Sequence, residues 1–326
     1  MQLKRFGVIL LIAALILSVC PAGAAAQSAP QKDVRVLSEQ VAAPAGINAA
    51  APTAIQADQY FTDPGTEVVS ADKKKGLWLY RSSTLYVNVT RKFNKKKVQT
   101  YFVADIRFQG TEKERVGFAN PKHPGYGTSA LYKIARKNRA VIAVSGDFMQ
   151  QGKSSKKGLI VRNGKVYNAI KGKQSRAKTL SFYPNGTMHI NSTNKSLWSK
   201  LKAAGVKNTF SFGPALIEKG VVNKKLKKHR LYSNHPRCAV GMVGPGHYIF
   251  IVVDGRQRSY SRGMTLTELA NVFKSYNCTL AYCLDGGATA SMCFMGVNIN
   301  NKGSISKQRP VTDALMFGYS TKVPKK

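Results

Sequence analysis

The sequence predicts an α+β (mixed α/β) fold: a single domain with a mixed or antiparallel β-sheet core, β-hairpins and a few packed helices. Three observations predict it. Short apolar alternations are joined by Asn-Gly pairs, and both turn residues tolerate positive φ, as hairpins require. Two stretches repeat apolar residues at helical spacing behind a capping residue. The chain is 326 residues long and 43% hydrophobic, enough for a substantial core, and no second composition break divides residues 59–326.

In chain order, residues 1–26 read as a secretory signal. Lys4-Arg5 precede an apolar run from Phe6 to Val19, and Ala24-Ala25-Ala26 ends in small residues suited to cleavage. The alternative is a retained membrane anchor, for which the run is short; Val19 before Cys20 speaks against lipoprotein processing. Residues 27–58, rich in Ala, Pro and Gln, form a flexible leader. Thr128 or Ser129 can cap a helix carrying Leu131, Ile134 and Ala135, which hands over to the strand "AVIAVSGDF". Hairpins follow at Asn163-Gly164 in "GLIVRNGKVYN" and at Asn185-Gly186 in "TLSFYPNGTMHI". "TFSFGPALI" reads as one strand ended by Lys219-Gly220, and "HYIFIVVDG" is apolar enough to be buried on both faces. Thr265 and Glu268 form a capping box for a helix with Leu266, Leu269, Ala270 and Phe273 on one face, stopping near Asn277.

The formal charge is +36, and removal of residues 1–26 takes Lys4 and Arg5 and no acid, leaving +34. Such a field gathers anionic partners and speeds their encounter. No RNA- or DNA-binding motif appears, so nucleic acid is not the expected partner. An exported chain of this charge points to a phosphate-rich cell-wall polymer, an anionic extracellular polysaccharide or a membrane surface, with no transmembrane segment expected after signal cleavage. Lys73-Lys74-Lys75, Lys95-Lys96-Lys97 and the cluster Lys224, Lys225, Lys227 and Lys228 are each also readable as solvated loops. Four cysteines remain after cleavage, Cys238, Cys278, Cys283 and Cys293. Export predicts at least one disulfide among them, with buried free thiols as the alternative; their spacing does not suit zinc.

Only 15 residues are acidic. Most fall in the leader, in turns or at a helix cap, and five are left beside apolar segments: Asp105, Asp147, Asp254, Asp285 and Asp313. A carboxylate next to a buried strand is costly unless paired, although Asp-Gly also simply starts turns. In Asp285-Gly286-Gly287 two glycines allow close backbone approach to an oxyanion, and Thr289 adds a hydroxyl. Arg237 can grip phosphate oxygens bidentately.

The ordered set "SGDF" (145–148), "SFGPALI" (211–217), "HPRCAVG" (235–241), "VVDGRQRSYSRGMTLTELA" (252–270), "LDGGATASM" (284–292) and "RPVTDAL" (309–315) resembles the phosphodiester glycosidase family, over roughly residues 75–318. That family commonly has Asn in the first motif, Thr where this chain has Cys238, and Ser where it has Thr289. The last exchange keeps a hydroxyl; Cys238 loses it. The resemblance implies Asp147, Arg237, Asp254, Asp285, Gly286, Gly287 and Thr289 near a site supported by Gly213, Ser261, Gly263 and Asp313.

The resulting expectation is an exported hydrolase cleaving the sugar–phosphate bond of glycosyl phosphodiesters. Asp285, Asp147 and Asp254 are the catalytic candidates, and Arg237, Thr289 and the Gly286 and Gly287 amides the phosphate ligands. No cofactor is required; a divalent cation held by aspartates is conceivable, but no ligand motif supports it. Two other readings use the same features: a polyanion-binding wall protein with an idle site, and a transferase of exopolysaccharide assembly.

Overall fold

The computed structural model describes residues 59–149, 158–169, 175–300 and 308–325. The signal expected over residues 1–26 and the leader at 27–58 lie outside the described residues. Among the described residues every strand pairing is antiparallel. The described residues are therefore β-rich and antiparallel, with three short α-helices, Leu131–Lys137, Leu197–Ala203 and Leu266–Ser275, packed on the sheets.

The largest sheet has nine strands. In spatial order they are Val68–Asp72, Leu77–Arg81, Leu85–Asn94, Gln99–Phe108, His247–Val253, Arg237–Gly244, Leu280–Leu284, Ala215–Glu218 and Val221–Val222. A five-stranded sheet runs Met188–Thr193, Ser175–Phe182, Asn208–Phe210, Ile160–Arg162, Lys165–Asn168. A second runs Val297–Asn298, Met292–Phe294, Ile142–Ser145, Asp313–Phe317, Arg115–Phe118.

Side-chain alternation sets the layers. Along His247–Val253, Tyr248, Phe250 and Val252 join the core between the large sheet and the two smaller ones. Ile249, Ile251 and Val253 face the other way, where Leu266, Leu269, Ala270 and Phe273 of the helix Leu266–Ser275 cover them. This strand is buried on both faces, as its unbroken apolar run predicts. The helix Leu131–Lys137 covers the outer face of the sheet containing Ile142–Ser145, and Leu197–Ala203 covers that of the sheet containing Ile160–Arg162. Burial of each large apolar side chain in these layers stabilises by about 1.5–3 kcal/mol.

Local signals hold where the chemistry is local. Asn163 and Gly164 both have positive φ and make a two-residue hairpin, with Arg162 opposite Lys165. The second hairpin is looser: Phe182 pairs with Met188, and Asn185 Oδ1 accepts from the Thr187 amide within the longer loop. The capping box of Thr265 and Glu268 is complete, and Asn277 adopts the left-handed conformation just past the helix. Three expectations are corrected. The helix Leu131–Lys137 starts from Ala130 without a side-chain cap. "TFSFGPALI" is two strands in different sheets, Asn208–Phe210 and Ala215–Glu218, because Pro214 has no N–H to give and Gly213 turns at φ +66°. All four described cysteines are free and buried. Cys238 and Cys283 sit on neighbouring strands but one residue out of register, so their side chains enter opposite faces of the sheet. Burial pushes both thiols up to about 12.

Candidate active site

Six scattered motifs meet because of antiparallel pairing. His247–Val253, Arg237–Gly244, Leu280–Leu284 and Ala215–Glu218 are consecutive neighbours in the large sheet. The end of the first, the start of the second, the end of the third and the start of the fourth therefore share one edge. There lie Asp254-Gly255-Arg256, His235-Pro236, Asp285-Gly286-Gly287 and Gly213-Pro214. The third sheet does the same with the end of Ile142–Ser145 and the start of Asp313–Phe317. The two edges join where Gly146 accepts from the Asp285 amide at 2.8 Å and donates to Asp313 O at 3.1 Å.

At this junction an open cleft of about 420 Å³ is lined by Gly213, Pro214, Arg230, His235, Arg237, Arg256, Asp285, Gly286, Gly287 and Arg309, among others. Its volume is that of a small-molecule binding cleft. Asp285 is the one carboxylate lining it among the described residues. Its side chain is buried, and burial pushes its pKa up to about 7; the Thr289 hydroxyl and Arg309 pull it back, while Asp147 and Asp313 add to the rise. A carboxyl titrating near neutrality beside a cleft can accept or hold a proton under ordinary conditions.

Asp147 and Asp313 do not line the cleft; they hold it. Arg162, fully buried, reaches Asp147 Oδ2 at 3.0 Å and Asp313 Oδ2 at 2.8 Å, and stacks over the Phe210 ring. Burial alone would lower the Arg162 pKa, but the two carboxylates more than offset it and raise it. Burial likewise raises Asp313, to about 6 against the pull of Arg162. Asp147 also accepts from the amides of Ser211 at 2.8 Å and Phe212 at 3.0 Å. The carboxylate thus positions the chain just before Gly213-Pro214 in the cleft wall.

Other expected residues take structural posts. Arg237 Nε donates to Met264 O at 2.9 Å, and Nη2 donates to the carbonyls of Leu231, at 2.7 Å, Tyr232 and Ser233. It fastens residues 231–233 to the cleft edge and has no second nitrogen free for a bidentate phosphate grip. The Gly287 amide donates to Pro236 O at 2.9 Å and is likewise occupied, whereas the Gly286 amide has no protein acceptor among the described residues. A Cβ on Gly286 would meet Pro236 O at 3.1 Å, so close approach is what glycine permits here. Thr289 is buried and closes the turn by donating to Gly286 O at 2.6 Å. Asp254 is fully buried, accepting from Tyr260 Oη at 3.0 Å and Asn300 Nδ2 at 2.9 Å. Ser261 Oγ donates to Asp254 O at 2.6 Å. These bonds shape the loop that carries Arg256. Gly263, at φ +93°, lies so near His235 that a Cβ would meet its backbone at 2.5 Å. Asp105, on Gln99–Phe108, lies 2.9 Å from His247 Nε2, away from the cleft lining.

Residue-by-residue reading of the sequence missed Arg230, Arg256, Arg309, His235 and Arg162. Arg256, His235 and Arg309 lie inside quoted motifs, but among 51 basic residues an arginine carries little signal. In the cleft, Arg230, Arg256 and Arg309 are exposed and make no ion pair among the described residues. Arg256 Nη2 would stand 3.3 Å from a Cβ on Gly287, which places its guanidinium over the Asp285-Gly286-Gly287 turn. Burial, and then Arg237 and Arg256, hold the His235 pKa below its usual value. Among the described residues no group of three or more His, Cys, Asp and Glu side chains gathers to hold a metal ion, and no helix is long and apolar enough to cross a membrane.

A family profile described as phosphodiester glycosidase matches residues 138–318. The SPbeta prophage-derived uncharacterized protein YomE of Bacillus subtilis strain 168 is 28% identical over 268 residues, which cover 80% of this chain and 39% of the relative. The chain thus spans about two fifths of that protein's length. Among solved structures, the zebrafish N-acetylglucosamine-1-phosphodiester alpha-N-acetylglucosaminidase catalytic domain, auto-inhibited by its pro-peptide, superposes with a TM-score of 0.58 at 17% identity, over 78% of this chain and 89% of that one. A hypothetical protein from Synechocystis superposes at 0.55 and 12% identity, over 78% and 64%. Both likenesses are of fold.

Proposed function

Because the chain belongs to the phosphodiester glycosidase family, we propose that it hydrolyses the bond between an anomeric carbon and the phosphate of a glycosyl phosphodiester, releasing free sugar and a phosphomonoester. One observation carries this reading: among the described residues, one carboxyl of near-neutral pKa shares its cleft with Arg230, Arg256 and Arg309, none of which forms an ion pair there. That is the charge pattern for an anion bonded to a reacting carbon. The arginines and the Gly286 amide bind the phosphate. As the carbon–oxygen bond breaks, its electron pair moves to the bridging oxygen, and the guanidinium groups stabilise the charge that develops there. The carbon acquires oxocarbenium character and water attacks it, while Asp285 takes the proton that water loses. Phosphate stabilised by three cations leaves without protonation, so the one cleft carboxyl serves as base. Asp147 acts at one remove, through the wall it positions, and Asp254 through the loop of Arg256.

The basic chain and its signal-like N-terminus favour an extracellular or cell-wall substrate. The test is product analysis in water carrying heavy oxygen. The expected outcome is label on the anomeric hydroxyl of the sugar and none on the phosphomonoester. Label on phosphate would make the protein a phosphodiesterase acting at phosphorus and would overturn the reading.

A further inference from the structure

Beside the cleft, across Pro214, lies a second concavity of about 410 Å³, to which Lys224, Lys225, Lys228 and His229 contribute over a floor at Leu226. Pro214 lines both spaces, so the two adjoin across this residue. The segment between them continues the charge: Arg230, two residues past Lys228, lines the cleft itself.

This is a braced surface. Leu226 is 1% exposed and packs in the core under the helix Leu266–Ser275. Asn223 Oδ1 accepts from the Lys225 amide at 2.9 Å while its Nδ2 donates to Ala215 O at 3.0 Å. Successive turn bonds run from Leu226 to Tyr232, and Arg237 then holds the carbonyls of residues 231–233. The lysines are exposed and none pairs with a carboxylate among the described residues. Glu218, at the end of Ala215–Glu218, is itself bound to Lys178 at 2.6 Å. Unneutralised cations carried on a braced backbone one wall away from the cleft attract a second anion joined to one bound there.

We propose that this concavity is a second phosphate subsite and that the substrate is a linear polymer of repeating sugar-phosphate diesters, one diester being cleaved in the cleft while the next is held by Lys224, Lys225 and Lys228. The assignment rests on the glycosidase reading above and adds the substrate class.

The test uses defined oligomers with one, two or three sugar-phosphate diesters, competition by polygalacturonate and by inorganic polyphosphate as a non-scissile phosphate polymer, and three proteins. These are the unaltered chain; the triple variant Lys224→Ala, Lys225→Ala, Lys228→Ala; and the control Lys73→Ala, Lys74→Ala, Lys75→Ala. The control loses the same charge at the far edge of the large sheet, in the turn after Val68–Asp72, whereas the lysine loop follows the opposite edge strand. The unaltered chain is expected to favour two diesters over one in kcat/KM by at least about tenfold, equivalent to 1.4 kcal/mol. The triple variant should lose that preference with the one-diester substrate unchanged, and the control should keep it. Equal loss in both variants, or no preference in the unaltered chain, overturns the subsite while leaving the glycosidase reading intact. Inhibition by polygalacturonate as strong as by the non-scissile phosphate polymer, at equal charge, overturns its assignment to phosphate. Failure to cleave any oligomer sinks the glycosidase reading and the subsite with it.

Discussion

At the scale of single residues, the proposed role of Asp285 joins stability to activity. Burial, the first cause, raises its pKa from the ordinary aspartate value of 3.8 to about 7. Between those values the folded protein holds a proton that the unfolded chain has released. Stability therefore falls as pH rises through that window and is constant above it. The ionised form costs on the order of 4 kcal/mol of folding stability. Asp285→Asn keeps the shape and cannot ionise, so its unfolding midpoint at about pH 8 should exceed that of the unaltered protein, with the difference closing toward pH 4. The same variant should lose at least about 100-fold in turnover, the scale for a positioned acid–base group. In the unaltered enzyme, kcat/KM should climb as pH rises to about 7 and then level, because a base acts only when ionised. A variant that is neither more stable at alkaline pH nor slower would reduce Asp285 to a turn residue. Cys238 illustrates a residue whose meaning is packing: its thiol is buried against Ser145 O at 3.5 Å and is not poised to react.

At the scale of elements, Arg162 joins two sheets. It ends Ile160–Arg162 in one, and its partners Asp313 and Asp147 begin and follow strands of the other. Removing one partner of a buried ion group leaves the rest uncompensated, so Arg162→Ala should cost about 3–5 kcal/mol in denaturant unfolding. Two carboxylates would then face each other without a cation, so the loss should shrink as pH falls below about 6, where Asp313, raised by burial, takes up a proton. A cost below about 1 kcal/mol would mean that water or neighbouring dipoles satisfy the carboxylates and that Arg162 does not tie the sheets. The broken strand at Ser211–Pro214 belongs to this network. The amides that leave the strand ladder there are taken up by Asp147, and the chain is free to cross from one sheet to the next along the cleft wall.

At the scale of the whole molecule, charge acts twice. The formal +36 of the chain concentrates any polyanion around it, over distances that salt screens. Inside the cleft, guanidinium groups in direct contact with a phosphate, as proposed above, would be screened far less. Raising salt from low to about 0.5 M should therefore raise KM for a phosphate-rich polymer steeply, while KM for a small diester changes by less than about threefold. Parallel salt dependence for both substrates would place the recruiting charge in the cleft itself.

By itself the sequence determined the hairpin at Asn163-Gly164, the capping box at Thr265 and Glu268, the doubly buried strand His247–Val253, and the ordered motifs that mark the family. Each of these is set by neighbours a few residues away, through φ preference, cap hydrogen bonds or hydrophobic period, and so can be read along the chain. Only the tertiary structure decided which charged groups line the cleft. Antiparallel pairing brings the ends of distant strands to one edge, and the contest for hydrogen bonds there sends Arg237, Thr289 and the Gly287 amide to backbone partners. It leaves Asp285, Arg256 and Arg309 facing the cleft. It also placed Arg162 between Asp147 and Asp313, 15 and 151 residues away in sequence, a pairing that no local pattern encodes. Side-chain direction likewise put Cys238 and Cys283 on opposite faces of one sheet, where an even count in the sequence had pointed to a bridge. Local rules act through bonded neighbours and periodicity; the site depends on competition among groups that become neighbours only when the sheets assemble.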